Sequence, residues 1–339
     1  MQKLLVIQTA FIGDVVLSTA LIESLHQQYP TAVIDLLVRK GNESLFVGHP
    51  FLNNVIAWDK QKNKYSNWLK ILIQIRKAKY PVIVNVQRYA ATGIWTAFSN
   101  AKVKIGFDKN PFSFLFTHRI KHVEALNGLH EINKNHALLS PLGTVALCKP
   151  KLYPTKIDFE KVQPLQLKQY LCIAPASVWF TKQFPKQKWI DFINEIPFEG
   201  IIYIIGGPGD KALGQSIIEG VSIQNQPQKQ LINLAGQLPF LASAALQKSA
   251  LLNYVNDSAP MHFASAMNAP VVAIYSSTIP DFGYGPLSDQ SFIVQTKAEL
   301  SCRPCGVHGK KACPLGHFNC AMFIEMKQLV DPLLEMAQH

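Results

Sequence analysis

Four short segments, each directly behind an apolar run, carry side chains able to do chemistry. In the first, residues 9–16, Gly13 and Asp14 follow Lys3–Gln8 (KLLVIQ). An Asp placed there either caps the helix that follows or takes a proton from a hydroxyl as a general base. Gly13 lets the backbone turn sharply or lets a ligand come close. In the second, residues 174–185, Lys182 is a cation suited to a phosphate leaving group, or else a solvated surface Lys. The third is Asn256-Asp257-Ser258-Ala259-Pro260-Met261-His262. Asp257 or Ser258 can cap a helix there, and Pro260 suits its first turn. The N–H groups left at such a helix start form an anion site suited to a diphosphate. His262 can donate to a phosphate or ribose oxygen, or serve as a partly buried structural His. In the fourth, residues 275–286, the hydroxyls of Ser277 and Thr278 stand before Gly283 and Gly285 and can line a pocket. None of the four is a dinucleotide fingerprint, because G-x-G-x-x-G is absent.

A fifth cluster lies near the C-terminus. Cys302, Cys305, Cys313 and Cys320 are spaced C-x2-C-x7-C-x6-C, with His308 and His317 beside them. Four thiolates at such spacing suit a structural zinc, and in a reducing compartment zinc or free thiols are expected over disulfides. Cys148 and Cys172 stand apart and read as core residues.

The elements that position these residues alternate β and α. Strands are expected at Lys3–Gln8, 32–38, 82–86, Tyr170–Ala174, 201–205, 251–255 and Val271–Tyr275. Helices are expected at 14–29, 68–78, 188–196, 260–267 and 323–337. Alternating βαβα predicts parallel sheets covered by helices on both faces. In such sheets ligands bind beyond the carboxyl ends of the strands, where all four segments fall. Residues 89–122 give no clear element, and the Pro-rich stretch 148–164 reads as a linker.

The chain has 339 residues, of which 48% are hydrophobic and 16% charged, so two α/β domains with their own cores are expected and a disordered chain is excluded. No apolar run spans a bilayer, and Gly13 and Asp14 interrupt the first apolar stretch, against a signal peptide. A cytoplasmic protein, peripheral at an inner membrane face, is the expectation. The first 150 residues hold 18 Lys and Arg against 8 Asp and Glu, and the remaining 189 hold 15 against 14. A basic first half points to an anionic partner. No nucleic-acid module accompanies it, so nucleic-acid binding is the lesser reading.

Taken together, the segments resemble glycosyltransferase family 9, the ADP-heptose:lipopolysaccharide heptosyltransferases. The resemblance rests on Ile12-Gly13-Asp14, the Lys182 loop, Asn256 to His262, and Ser277-Thr278 with Gly285-Pro286-Leu287. The tail Cys302-Arg303-Pro304-Cys305…Cys313-Pro314-Leu315-Gly316-His317…Cys320 is similar to the heptosyltransferase II branch. This resemblance implies an α/β GT-B fold, two Rossmann-like domains facing a central cleft. It divides the chain into an acceptor domain at 1–155, a nucleotide-sugar domain at 156–320 and a final helix at 321–339 packing back on the first domain. It implies inverting, metal-independent transfer from an ADP-sugar to an anionic inner-core lipopolysaccharide, or a related transfer from another nucleotide sugar. Asp14 matches the base, and Lys182, Asp257, Ser258, Ala259, His262 and Thr278 match the donor site, with Gly13 and Gly285 shaping loops. Ala259 departs from the Gly usual there, and the adenine contacts are expected near residues 233–236.

Overall fold

A computed structural model describes residues 3–124, 128–222 and 229–337. The chain divides into two compact units, Met1–Tyr153 and Pro154–His339, two residues before the expected boundary.

The first unit runs β1 (Lys3–Gln8), α1 (Ile12–Gln28), β2 (Val33–Arg39), β3 (Leu52–Trp58), α2 (Lys64–Ala78), β4 (Val82–Asn85), α3 (Ala90–Ala97), β5 (Val103–Phe107), β6 (His118–Ile120) and α4 (Glu131–His136). The second continues with α5 (Lys156–Val162), β7 (Tyr170–Ala174), α6 (Lys186–Glu195), β8 (Ile201–Ile204), α7 (Lys211–Gly220), β9 (Gln230–Asn233), α8 (Phe240–Lys248), β10 (Leu252–Asn256), α9 (Ala259–Ala266), β11 (Val271–Tyr275), β12 (Ser291–Gln295), α10 (Asn319–Met322) and α11 (Lys327–Met336).

Each unit holds one six-stranded sheet, ordered β3-β2-β1-β4-β5-β6 in the first and β12-β11-β10-β7-β8-β9 in the second. All pairs are parallel. Both orders reverse in the middle, between β1 and β4 and between β7 and β10. At such a switch point two neighbouring loops leave in opposite directions and open a crevice for a ligand.

Central strands are buried on both faces, which is why they read as unbroken apolar runs. In β7 and β8, Leu171, Ile173, Ile202 and Ile204 pack on one side with Trp189 and Phe192 of α6. Tyr170, Cys172 and Tyr203 pack on the other with Ala242, Ala245 and Leu246 of α8. This alternation is the two-residue period of a strand.

The structure departs from the sequence reading in several places. The region expected to be a linker contains α5, closed by a capping box between Thr155 and Asp158. The helix expected over 323–337 is α11, which begins only at Lys327, with the separate one-turn α10 ahead of it. Leu329 and Leu333 of α11 join the second unit's core, and Tyr254 Oη donates to Leu329 O at 2.9 Å. All six Cys are free thiols; Cys172 is buried, while Cys148 is only half-buried. No described helix is long and apolar enough to cross a membrane.

Candidate functional site

At the second unit's switch point, the loops after β7, β10 and β11 bring three of the expected residues together. Lys182 Nζ lies 2.7 Å from Asp257 Oδ2. Thr278 Oγ1 donates to the same oxygen at 2.7 Å. The pair is largely shielded, with side-chain exposures of 14% for Lys182 and 7% for Asp257. An anionic carboxylate is a poor direct partner for a phosphate. Here Asp257 instead fixes the ammonium of Lys182 at the strand ends, where an anion can share it.

Ser258 is the N-cap of α9, but its hydroxyl does not cap. It turns back to donate to Asn256 O at 3.3 Å. Asp257 does not cap either, since its carboxylate is taken up by Lys182 and Thr278. The first N–H groups of α9 are thus not satisfied by a side-chain cap, and the positive end of the helix dipole stands beside Lys182's loop. Ala259 is the first helical residue, and His262 is buried one turn on, with its ring 6.4 Å from Tyr284. Tyr275 Oη donates to Tyr284 O at 2.9 Å and so holds the 283–286 loop. The left-handed residue of this loop is Gly283 (φ 93°), not Gly285.

Two residues outside the predicted set build the site. Asn256, the last residue of β10, accepts from Phe184 N at 2.9 Å and donates to Pro175 O at 2.8 Å, bolting both ends of the Lys182 loop to β10. A buried Asn closing an apolar strand was the available signal. Arg303 donates through Nε to Ser276 O at 2.9 Å, and through Nη2 to Thr278 O at 2.7 Å and Gln295 Oε1 at 2.8 Å. The fork of its guanidinium fixes the loop bearing Thr278.

The Cys-rich tail grips the Lys182 loop as well. Thr181 N donates to Lys310 O at 3.1 Å, Lys310 N donates to Thr181 Oγ1 at 2.7 Å, and Phe180 stacks on Phe318. Gly309 sits at φ +75°, and a Cβ there would come within 2.9 Å of Lys182 Cγ, so the crossing requires Gly. Cys302, Cys305, Cys313 and Cys320 line one cavity of about 240 Å³ with Lys310 and His317. Among the described residues, no three His, Cys, Asp or Glu side chains are set to hold a metal ion. Burial pushes the Cys320 thiol up to about 11. Desolvation pushes the Cys313 thiol up, but backbone N–H donors at Phe318, Leu315, Gly316 and His317 together bring it below the usual range.

In the first unit, Asp14 is at the carboxyl end of β1, again at the switch point. The helix begins two residues earlier than expected, with Phe11 as N-cap, so Asp14 is not the cap but lies in the first turn. Its main-chain carbonyl accepts from Gln8 Nε2 at 3.5 Å, and Gln8 in turn bonds Gln87 behind β4. Gly13 is already helical, so no left-handed turn is needed there. Lys60 Nζ donates to Thr9 O at 2.9 Å and steadies the same loop. Asp14 is half-buried.

Two doubly wound units, each with one six-stranded parallel sheet, are the fold of the GT-B class. A family model described as "Glycosyltransferase family 9 (heptosyltransferase)" matches residues 68–315. The chain belongs to this family and is a glycosyltransferase. It is 28% identical over 286 residues to lipopolysaccharide heptosyltransferase 3 of Escherichia coli, covering 79% of this chain and 82% of that one. Its fold is similar to that of E. coli ADP-heptose lps heptosyltransferase II, with TM-score 0.79 and 18% identity over 100% of this chain and 99% of that one. A glycosyl transferase family 9 structure from Veillonella parvula DSM 2008 gives TM-score 0.83 and 18% identity, covering 98% of each chain.

Proposed function

We propose that this enzyme moves a heptose from ADP-heptose to an inner-core lipopolysaccharide acceptor, with inversion and without a catalytic metal. The observation carrying this reading is the Lys182–Asp257–Thr278 group beside the α9 N-terminus. A departing ADP gains negative charge, and a fixed ammonium with a helix dipole compensates charge where it develops. Asp14 takes the proton from the attacking acceptor hydroxyl, and that oxygen displaces ADP from the sugar's anomeric carbon. One carboxylate suffices for a single in-line displacement. The relatives named as lipopolysaccharide heptosyltransferases support the donor and acceptor classes. The basic first half suits a phosphorylated acceptor presented at the inner face of a membrane, with the protein itself in the cytoplasm. For the Cys-rich tail we propose a structural zinc clip. Its support is the single cavity shared by four thiols, which must draw closer to hold an ion.

The test pairs Asp14→Asn with ADP binding in EDTA. Transfer from ADP-heptose should fall by about 10²–10⁴-fold, while thermal stabilisation by ADP is retained. Undiminished turnover removes Asp14 as the base. Stabilisation by UDP or GDP but not ADP keeps the glycosyltransferase and discards the heptose donor.

A further inference from the structure

The solvent side of α2 has a pattern that the reaction does not use. From Lys60 through Phe107 the sequence contains ten Lys and Arg and no Asp or Glu. Helix α2 lies inside this stretch, and its core side is Trp68, Ile71 and Ile75. The opposite side exposes Tyr65, Leu69 and Ile73, 82%, 51% and 45% accessible. Their spacing of four places them in one row along the helix. Arg76 falls within that row, and Lys70 and Lys77 run alongside it, all exposed. Lys64 Nζ lies 5.8 Å from the Tyr65 ring.

A solvated helix face has no need of a Tyr-Leu-Ile row. A protein partner matched to it would have to supply acids for every one of these cations. A bilayer containing anionic lipid meets both requirements, because acyl chains take the row while headgroups take the cations. We propose that α2 lies in the interface of an anionic membrane and is the surface by which this enzyme docks there. Lys60, just ahead of α2, bonds Thr9 O in the loop leading to Asp14. The docking helix therefore begins at the same edge of the sheet as that loop, the edge where a lipid-anchored substrate is wanted. The docking surface stands whether or not heptose is the sugar transferred.

Sedimentation with vesicles tests it, using the full chain and no sugar nucleotide. The wild type should bind phosphatidylcholine vesicles containing phosphatidylglycerol, bind pure phosphatidylcholine far less, and weaken as salt rises. Lys70→Gln with Lys77→Gln should lower binding roughly thirtyfold, at about fivefold per charge near the surface. Leu69→Ser with Ile73→Ser should lose binding at high salt, where the apolar row carries it. Lys156→Gln with Ile157→Ser, an exposed pair on α5, should bind as wild type. All four positions altered on α2 are exposed, and unchanged thermal melts will show that the variants fold. Equal binding to both vesicle types, no binding to either, or α2 variants that bind as wild type would each overturn the proposal. So would a dimer in solution that Leu69→Ser with Ile73→Ser dissociates, since the row would then be a contact between copies.

Discussion

Lys182 and Asp257, which are 75 positions apart in sequence, form an ion pair of 2.7 Å that is largely closed to solvent, and Thr278 donates to the same carboxylate oxygen. Shielding raises the cost of breaking the pair from one side. Asp257→Asn leaves the ammonium without its counter-charge and should destabilise the chain by about 3 kcal/mol. Lys182→Met should cost less, because Thr278 still serves the carboxylate. The double variant should recover about 1–3 kcal/mol relative to the sum of the singles. Denaturant unfolding of the four proteins measures this coupling, and additive single effects would show that the pair is not a unit. Both single variants should also weaken ADP binding in a titration, since Asp257→Asn misplaces the cation and Lys182→Met removes it.

How far this arrangement was legible depends on where each residue sits in its sheet. Tyr170–Ala174 and Val271–Tyr275 were readable because strands covered on both faces must be apolar throughout. Of the missed strands, β3, β6, β9 and β12 are sheet edges, whereas β5 (VKIGF) is an inner strand whose Lys104 and Gly106 break the apolar run. Edges are half-solvated, so LNNVIAW and QLIN mix polar residues into the run and blur the signal. The site segments were readable for a related reason: each follows a strand. Their pairing was not, because nothing in Lys182 or Asp257 alone says which loops the sheet order sets side by side. Asn256 and Arg303 stand inside segments the sequence singles out, but their roles were not readable because they act mostly on main-chain groups, which carry no residue identity.

Arg303 should prove as necessary to the donor loop as any residue in it. It supplies donors to Ser276 O, Thr278 O and Gln295 Oε1 at once. A Lys ammonium is a single point and cannot span three acceptors that a planar fork meets. Arg303→Lys should therefore destabilise by about 2–3 kcal/mol, the scale of a lost hydrogen bond to a charged group. ADP affinity should fall with it, because Thr278 loses its anchor. A wild-type melting curve together with wild-type ADP binding would reduce Arg303 to a bystander.

Acid should unfold the first unit partly through His49. Its Nδ1 accepts from Leu52 N at 3.3 Å, and its ring packs edge-on against Phe51 and Tyr153. Burial, with repulsion from His26, pulls its pKa from 6.5 to about 4. The unfolded chain therefore binds the proton first, between about pH 6.5 and 4. The contribution of neutral His49 is complete above pH 6.5 and is lost as pH falls toward 4, on the order of 2 kcal/mol after allowance for partial solvent access. His49→Phe keeps an aromatic ring in the cluster and removes the titration. Its stability should fall less steeply than wild type across that window, and parallel pH profiles would show that His49 contributes nothing to the loss.

The four tail thiols should not react alike. Cys313 is the one whose thiol lies below the usual range, held there by N–H donors of the turn that follows it. Cys320 is buried, and both it and Cys305 are pushed up by desolvation. Because the thiolate is the nucleophile, iodoacetamide at neutral pH should modify Cys313 first and Cys320 last, as peptide mass spectrometry would report. Zinc added beforehand should protect Cys313 if the four thiols close on it, since a coordinated thiolate is no longer free to attack. Labelling at an unchanged rate in zinc would remove the metal clip from the tail. Its grip on Thr181 through Lys310 would remain, because those bonds are made by main-chain atoms and a threonine hydroxyl.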